Sequence, residues 1–204
     1  MGKSQMIRNI HKACLCYKEY LLGNTYMFVY DNTYIEVLFK RSSFMHLTGV
    51  ASRLSADDFY KHASTKSGLR PSEIFFTKEH PYDFAVKKTN CLSDLYKITI
   101  EDALISTDLK TMSLNYAIGI TNLQFVICLG KDLNKNGGLA SSCLVPYSFR
   151  VENIDNNKYS DLCEVTHVFK RDSNKKVYQT LTFGCSESIK YLPASIQEKL
   201  DGFL

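Results

Sequence analysis

Apolar residues recur every three to four positions at the start of the chain. Met6, Ile10, Cys14, Tyr17 and Leu21 form one stripe, which predicts a helix over 4–22 stopped by Gly23. The period then shortens to two. The runs TYMFVY and TYIEVLFK are rich in aromatic and β-branched residues, and only Asp31-Asn32 separates them, so they predict a hairpin. In the second run Ile35, Val37 and Phe39 share one face, and Tyr34, Glu36, Leu38 and Lys40 share the other. RSSFMHLTGV (41–50) follows at once and reads as the end of the hairpin, with His46 just past a strand and Gly49 free to take a positive φ.

Ser55 with Asp58 three positions on forms a capping box, which predicts a helix over about 56–66 that Gly68 ends. Pro71 starts a short helix through SEIFFTKE, and Pro81 opens another over about 81–96. From about residue 98 the pattern is β. SLNYAIGI and NLQFVICLG are short apolar runs, KDLNKNGG is a turn-rich loop, and CLVPYSFRVE is a strand with Pro146 at its start or on an edge. DLCEVTHVFK and VYQTLTFG, joined by RDSNKK, make a last hairpin. LPASIQEKLDGFL is a short helix capped by Ser195, with Ile196, Leu200 and Phe203 facing inward. The sum is one α+β domain over 1–204: helix and hairpin 4–50, helical segment 51–97, a mainly antiparallel sheet 98–184 and a C-terminal helix 185–204.

Alternation along the last strands sorts their side chains. Val165, His167 and Phe169 take one side with Val177, Leu181 and Phe183. The other face gathers Thr166, Lys170, Tyr178, Thr180 and Thr182, and Ser148 and Arg150 join it from the preceding strand. Hydroxyls interleaved with cations can bind a phosphodiester through charge-assisted hydrogen bonds. A solvated outer face of an antiparallel sheet gives the same pattern.

Charge changes this picture little. The 25 Lys and Arg exceed the 21 Asp and Glu by four, for a pI near 8.6, which permits a polyanionic partner without demanding one. The seven cysteines are odd in number and contain no C-x-x-C pair, so Cys14-x-Cys16 is no metal site and a reducing, cytoplasmic setting is expected. No run approaches the ~18 apolar residues of a membrane span, and the first residues, without a continuous apolar core or a small-residue cleavage site, are not expected to act as a signal peptide. H-E-x-x-H, Walker A, G-x-S-x-G and G-x-G-x-x-G patterns are absent, so any enzyme here is expected to work without metal or cofactor. Of the five histidines, His11 reads as a surface residue, His62 and His80 lie near helix ends, and His167 falls on the inward register. His46 is the candidate for chemistry, because imidazole titrates near neutrality and can act as acid or base.

The run YKEYLLGNTYMFVYDNTYIEVLFKRSSFMHLTGV resembles the start of the phage- and mobile-element-associated barnase–EndoU–colicin–RelE-like (PBECR) nuclease family. The resemblance rests on an F-x-H-L-T-G motif, here Phe44, His46, Leu47, Thr48 and Gly49, after a hairpin ending Phe39-Lys40. LVPYSF (144–149) and the closing VFK…VYQTLTF extend it, to roughly residues 17–183. The resemblance implies an α+β fold with helices packed on a four-stranded antiparallel sheet whose open face holds the site. It also implies metal-independent cleavage of RNA, with His46 and Thr48 carried over from the motif. Combined with the strand faces, it gives His46, Thr48, Lys170 and Thr180 as catalytic candidates, and Ser148, Arg150, Tyr178 and Thr182 as substrate-binding ones. RNA is then the expected partner, inside a bacterial host cell. The other reading of the same scaffold is a binding protein that blocks a host defence protein without catalysis.

Overall fold

The computed structural model describes residues 1–110, 115–151 and 161–203. Ser113 and Leu114 of SLNYAIGI, Glu152 at the end of CLVPYSFRVE, and Leu204 lie outside them. The first half of the chain is mostly helical: α1 (Lys3–Cys16), α2 (Arg41–Thr48), α3 (Ala56–Ser64) and α4 (Tyr82–Cys91), with the hairpin β1 (Asn24–Tyr30) and β2 (Thr33–Leu38) between α1 and α2. A two-stranded ribbon pairs β3 (Ala51–Ser52) with β4 (Ile74–Phe75). Then come β5 (Leu104–Lys110), β6 (Asn115–Thr121), β7 (Val126–Leu133), β8 (Leu139–Arg150), β9 (Asp161–Glu164), β10 (His167–Asp172), β11 (Thr180–Phe183) and the short α5 (Ala194–Gln197).

The expected α+β class holds, but the sheet is larger than the four strands implied above. Among the described residues, nine strands run in the order β11-β10-β1-β2-β8-β7-β6-β5-β9, antiparallel except for the parallel pair β2–β8. Only Val165 and Thr166 separate β9 from β10. Their amides donate to Ala103 O (3.0 Å) and Val29 O (2.9 Å), so one bent stretch of chain borders both flanks of the sheet and curls it back on itself.

The predicted stripe on α1 is the seam of the main core: Met6, Ile10, Cys14, Tyr17 and Leu21 are all buried, against Phe28, Val37, Phe44 and Val168. The helix continues as a π-helical turn, Tyr17–Leu21, closed by Leu22 N to Tyr17 O at 2.8 Å and stopped by Gly23 at φ +76°. Asp31 and Asn32 both take positive φ, as a tight hairpin turn requires. Ser55 caps α3 by accepting from Asp58 N (3.1 Å). Pro146 lies inside the sheet rather than at an edge; it is tolerated because the β7–β8 register shifts between Cys128 and Leu129, beside it. Pro193, not Ser195, precedes α5.

A second, smaller cluster lies on the other side of β1 and β10. There Met27, Val29 and Phe169 pack under Tyr178, Ile189 and Ile196. His167 belongs to this layer and is fully satisfied: Nε2 faces Ser188 Oγ (2.8 Å) and Cys185 O (3.1 Å), and Nδ1 faces Thr166 Oγ1 (3.1 Å). All seven cysteines are reduced thiols, and burial pushes Cys14 up to about 12, which makes it an inert core residue.

RSSFMHLTGV is not a hairpin end. Residues Arg41–Thr48 form α2, and Gly49 terminates it in the left-handed region at φ +75°. A Cβ at position 49 would also stand 2.6 Å from Lys88 Cδ. Gly49→Ala is therefore expected to destabilise the fold by about 1–2 kcal/mol, mostly from the left-handed backbone, because the lysine tip can move aside. Urea unfolding of the variant measures it, and unchanged stability would refute the reading.

Candidate functional site

Helix α2 is held at both ends. At its start, the Tyr17 hydroxyl donates to Lys40 O (2.8 Å) from within the core. Phe44, fully buried, packs on Tyr17 (5.2 Å between centroids), Tyr60 (5.8 Å) and Phe59 (6.5 Å). At its end, Thr48 Oγ1 donates to Met45 O (2.7 Å). Phe44 and Leu47 thus anchor the motif in the core. The helical period turns His46 the other way, toward solvent.

His46 opens onto a cavity of about 370 Å³, between α2 and strands β7 and β8. Lys40, Ser42, Asp132 and Tyr147 share its walls. Lys40 Nζ donates to both carboxylate oxygens of Asp132, at 2.5 and 2.6 Å, and Ser141 Oγ donates to Oδ2 at 2.8 Å. Asp132 is buried while Lys40 remains about one-third exposed, so the ammonium is the face that the pair shows to the cavity. Tyr147 lies across Gly130, where a Cβ would stand 2.2 Å from Tyr147 Cε2, and its hydroxyl donates to Lys131 O (2.7 Å). Glycine at 130 is what lets this ring lie flat against the strand and line the cavity. The crowding of His46 by protein lowers its pKa below the ordinary value, and His80 nearby lowers it further. The imidazole is therefore neutral at pH 7 and can accept a proton.

The single polar face expected from strand alternation does not form. Strands β1 and β2 lie between β10 and β8, so Lys170 is three strand spacings, ~14 Å, from Ser148 and Arg150. Lys170 pairs with Thr180 at the far flank of the sheet, away from His46. Thr182 Oγ1 donates to Val168 O (3.1 Å) there. Tyr178 is fully buried beneath the C-terminal segment; its hydroxyl donates to Glu36 Oε1 (2.7 Å), and the Arg171 guanidinium lies 5.2 Å from its ring. Alternation failed here because β11 begins only at Thr180 and the β10–β11 register slips between Val168 and Phe169. Ser148 is buried opposite Cys128, and Arg150 ends β8 opposite Val126. Thr48 is buried too, and its hydroxyl is occupied in closing α2. Of the eight predicted residues, His46 alone lines the cavity.

Lys40, Asp132 and Tyr147 take the places that Lys170, Thr180 and Tyr178 were expected to fill. Two signals in the sequence point to Lys40 and Asp132. Lys40 directly precedes the H-L-T-G helix. In VICLGKDL, Asp132 has the same parity as Cys128 and Gly130, and an acid on a buried register needs a cation. Among the described residues, no three His, Cys, Asp or Glu side chains cluster as metal ligands, and no helix is long and apolar enough to cross a membrane.

Residues 9–187 match the model of the family described as phage-Barnase-EndoU-ColicinE5/D-RelE like nuclease 4, PBECR4. The chain belongs to this family. Among curated proteins and among solved structures, nothing matches it. PBECR4 membership makes the protein nuclease-like, of the barnase, EndoU, colicin and RelE type. The match includes α2 and its cavity together with every strand of the large sheet.

Proposed function

We propose that this PBECR4 chain is an endoribonuclease that cleaves RNA without a metal ion, at the cavity between α2 and β7–β8. The observation that carries the reading is a neutral histidine and a lysine ammonium opening on one cavity of a nuclease-like fold. His46 takes the proton from a ribose 2′-OH. The 2′ oxygen attacks the adjacent phosphorus, the bond from phosphorus to the 5′ oxygen breaks, and that oxygen leaves with a proton from water. The products are a 2′,3′-cyclic phosphate and a 5′-hydroxyl. Lys40 and the uncapped amides at the start of α2 face the charge that grows on the phosphoryl oxygens. Tyr147, 43% exposed, offers a ring on which a base can stack.

The test is purified protein with single-stranded RNA in excess EDTA. Cleavage leaving 2′,3′-cyclic ends is expected. No cleavage in EDTA, or equal cleavage of DNA, would overturn the proposal. One feature favours a second reading: Asp132 already holds Lys40, and the two predicted cations of the sheet stand elsewhere. A chain that fails the EDTA test yet captures a host defence protein in stoichiometric amounts would be a binding scaffold from a phage or mobile element.

A further inference from the structure

Helix α2 borders a second cavity, of about 170 Å³, on the side away from His46. Lys18, Arg41, Lys61, Ser64 and Tyr60 line it. The three cations come from three separate elements: the π-helical turn after α1, the first residue of α2, and α3. All three are exposed, and the carboxylate paired with one of them is Asp58, 3.7 Å from Lys61 and itself taking the Ser55 hydroxyl at 2.7 Å. Tyr60 is only 5% exposed, and its hydroxyl is buried without a hydrogen-bond partner among the described residues. Its polar neighbour is the Cys14 thiol, a weak acceptor, so the hydroxyl can still donate to a stronger one. Burial and the neighbouring Cys14 thiol hold it up at about 12, so it keeps its proton at any physiological pH.

We infer that the cavity between Lys18, Arg41 and Lys61 is a phosphate subsite that holds the RNA strand beside the scissile bond, with Tyr60 donating to a phosphate oxygen. The inference rests on the RNA reading of the His46 cavity. Lys40 and Arg41 are consecutive, and one faces each cavity, so a strand crossing the start of α2 meets both. Guanidinium and ammonium groups around a neutral hydroxyl match a phosphodiester, which offers several acceptors and one negative charge.

The test is binding of a single-stranded 2′-O-methyl oligonucleotide, which cannot be cleaved, measured by fluorescence anisotropy over a range of salt concentrations. Each cation withdrawn from a phosphate should flatten the slope of log affinity against log salt by about 0.7. The triple variant Lys18→Gln, Arg41→Gln, Lys61→Gln is expected to bind at least tenfold more weakly, with a slope flatter by about 2. Tyr60→Phe is expected to weaken binding several-fold while its melting temperature holds or rises, because the unpartnered hydroxyl is gone. Unchanged affinity and slope in the triple variant would overturn the inference. A Tyr60→Phe variant that melts earlier but binds normally would give Tyr60 a structural role and overturn its part. Failure of the nuclease reading shows separately, as wild-type protein that binds the oligonucleotide with the full salt slope yet cleaves no RNA.

Discussion

His46→Ala is expected to slow RNA cleavage by about 10²–10⁴-fold, the usual worth of a positioned general base. Oligonucleotide affinity and melting temperature should change little, because the side chain is exposed and the anchors of α2 are Phe44, Leu47 and Thr48. The pH profile carries more information than the rate. A base works in its neutral form, so cleavage should rise with pH and level off above the pKa of His46. Crowding by protein and, secondarily, His80 lower that pKa, so the midpoint of the rise should lie below the ordinary value near 6.5. His80→Ala should move the midpoint upward, and in His46→Ala the rise should vanish with the activity. Identical rates and identical profiles in wild type and His46→Ala would remove His46 from the chemistry.

The same shift has a consequence for folding. His46 and His167 both have folded pKa values below their unfolded ones, His167 through burial. As pH falls through the unfolded value, the unfolded chain binds protons that the folded chain refuses. Stability therefore declines from about pH 6.5 downward and is not recovered at lower pH by these two groups.

Local pattern was enough to find α1, α3, α4 and the first hairpin, but not the segment after Pro71, where the predicted helix through SEIFFTKE is a single turn, Pro71–Glu73, that runs straight into β4. The α1 stripe, the Asp31-Asn32 turn and the Ser55 cap each depend on residues within a few positions of one another, and each is present in the structure. The motif around His46 was legible as a motif but not as a helix. Eight residues with two adjacent serines and a central Met-His give little periodic signal, and the core contacts of Phe44 with Tyr17 and Phe59 are what fix the helical form. The partners of His46 were least legible. They depend on strand order, which alternation does not encode: the chain leaves β2, makes three α-helices, the β3–β4 ribbon and strands β5 to β7, and only then pairs β8 in parallel with β2. That one long-range pairing puts Asp132 and Tyr147, rather than Lys170 and Thr180, beside α2.

Removing Lys40 is expected to cost far more than removing the charge it binds. In Lys40→Met, Asp132 is left as a carboxylate with 4% of its side chain exposed and, among the described residues, only the Ser141 hydroxyl to satisfy it. Breaking a buried pair from one side typically costs ~3–5 kcal/mol, and the partial exposure of Lys40 brings the expectation to about 2–4 kcal/mol. In Asp132→Asn the ammonium, 35% exposed, can turn to water and Ser141 keeps an acceptor, so the loss should be about 1 kcal/mol. The double variant should lie closer to Asp132→Asn than to Lys40→Met, because the uncompensated buried charge is gone. Urea unfolding of the three variants gives the cycle, and equal losses in the two single variants would refute the asymmetry. Asp132→Asn also frees a cation into the cavity. It should bind the non-cleavable oligonucleotide more tightly, with a salt slope steeper by about 0.7 if Lys40 then reaches a phosphate. Weaker binding in Asp132→Asn, with folding intact, would mean that the carboxylate positions Lys40 and that the ion pair, rather than the lysine alone, is the unit presented to RNA.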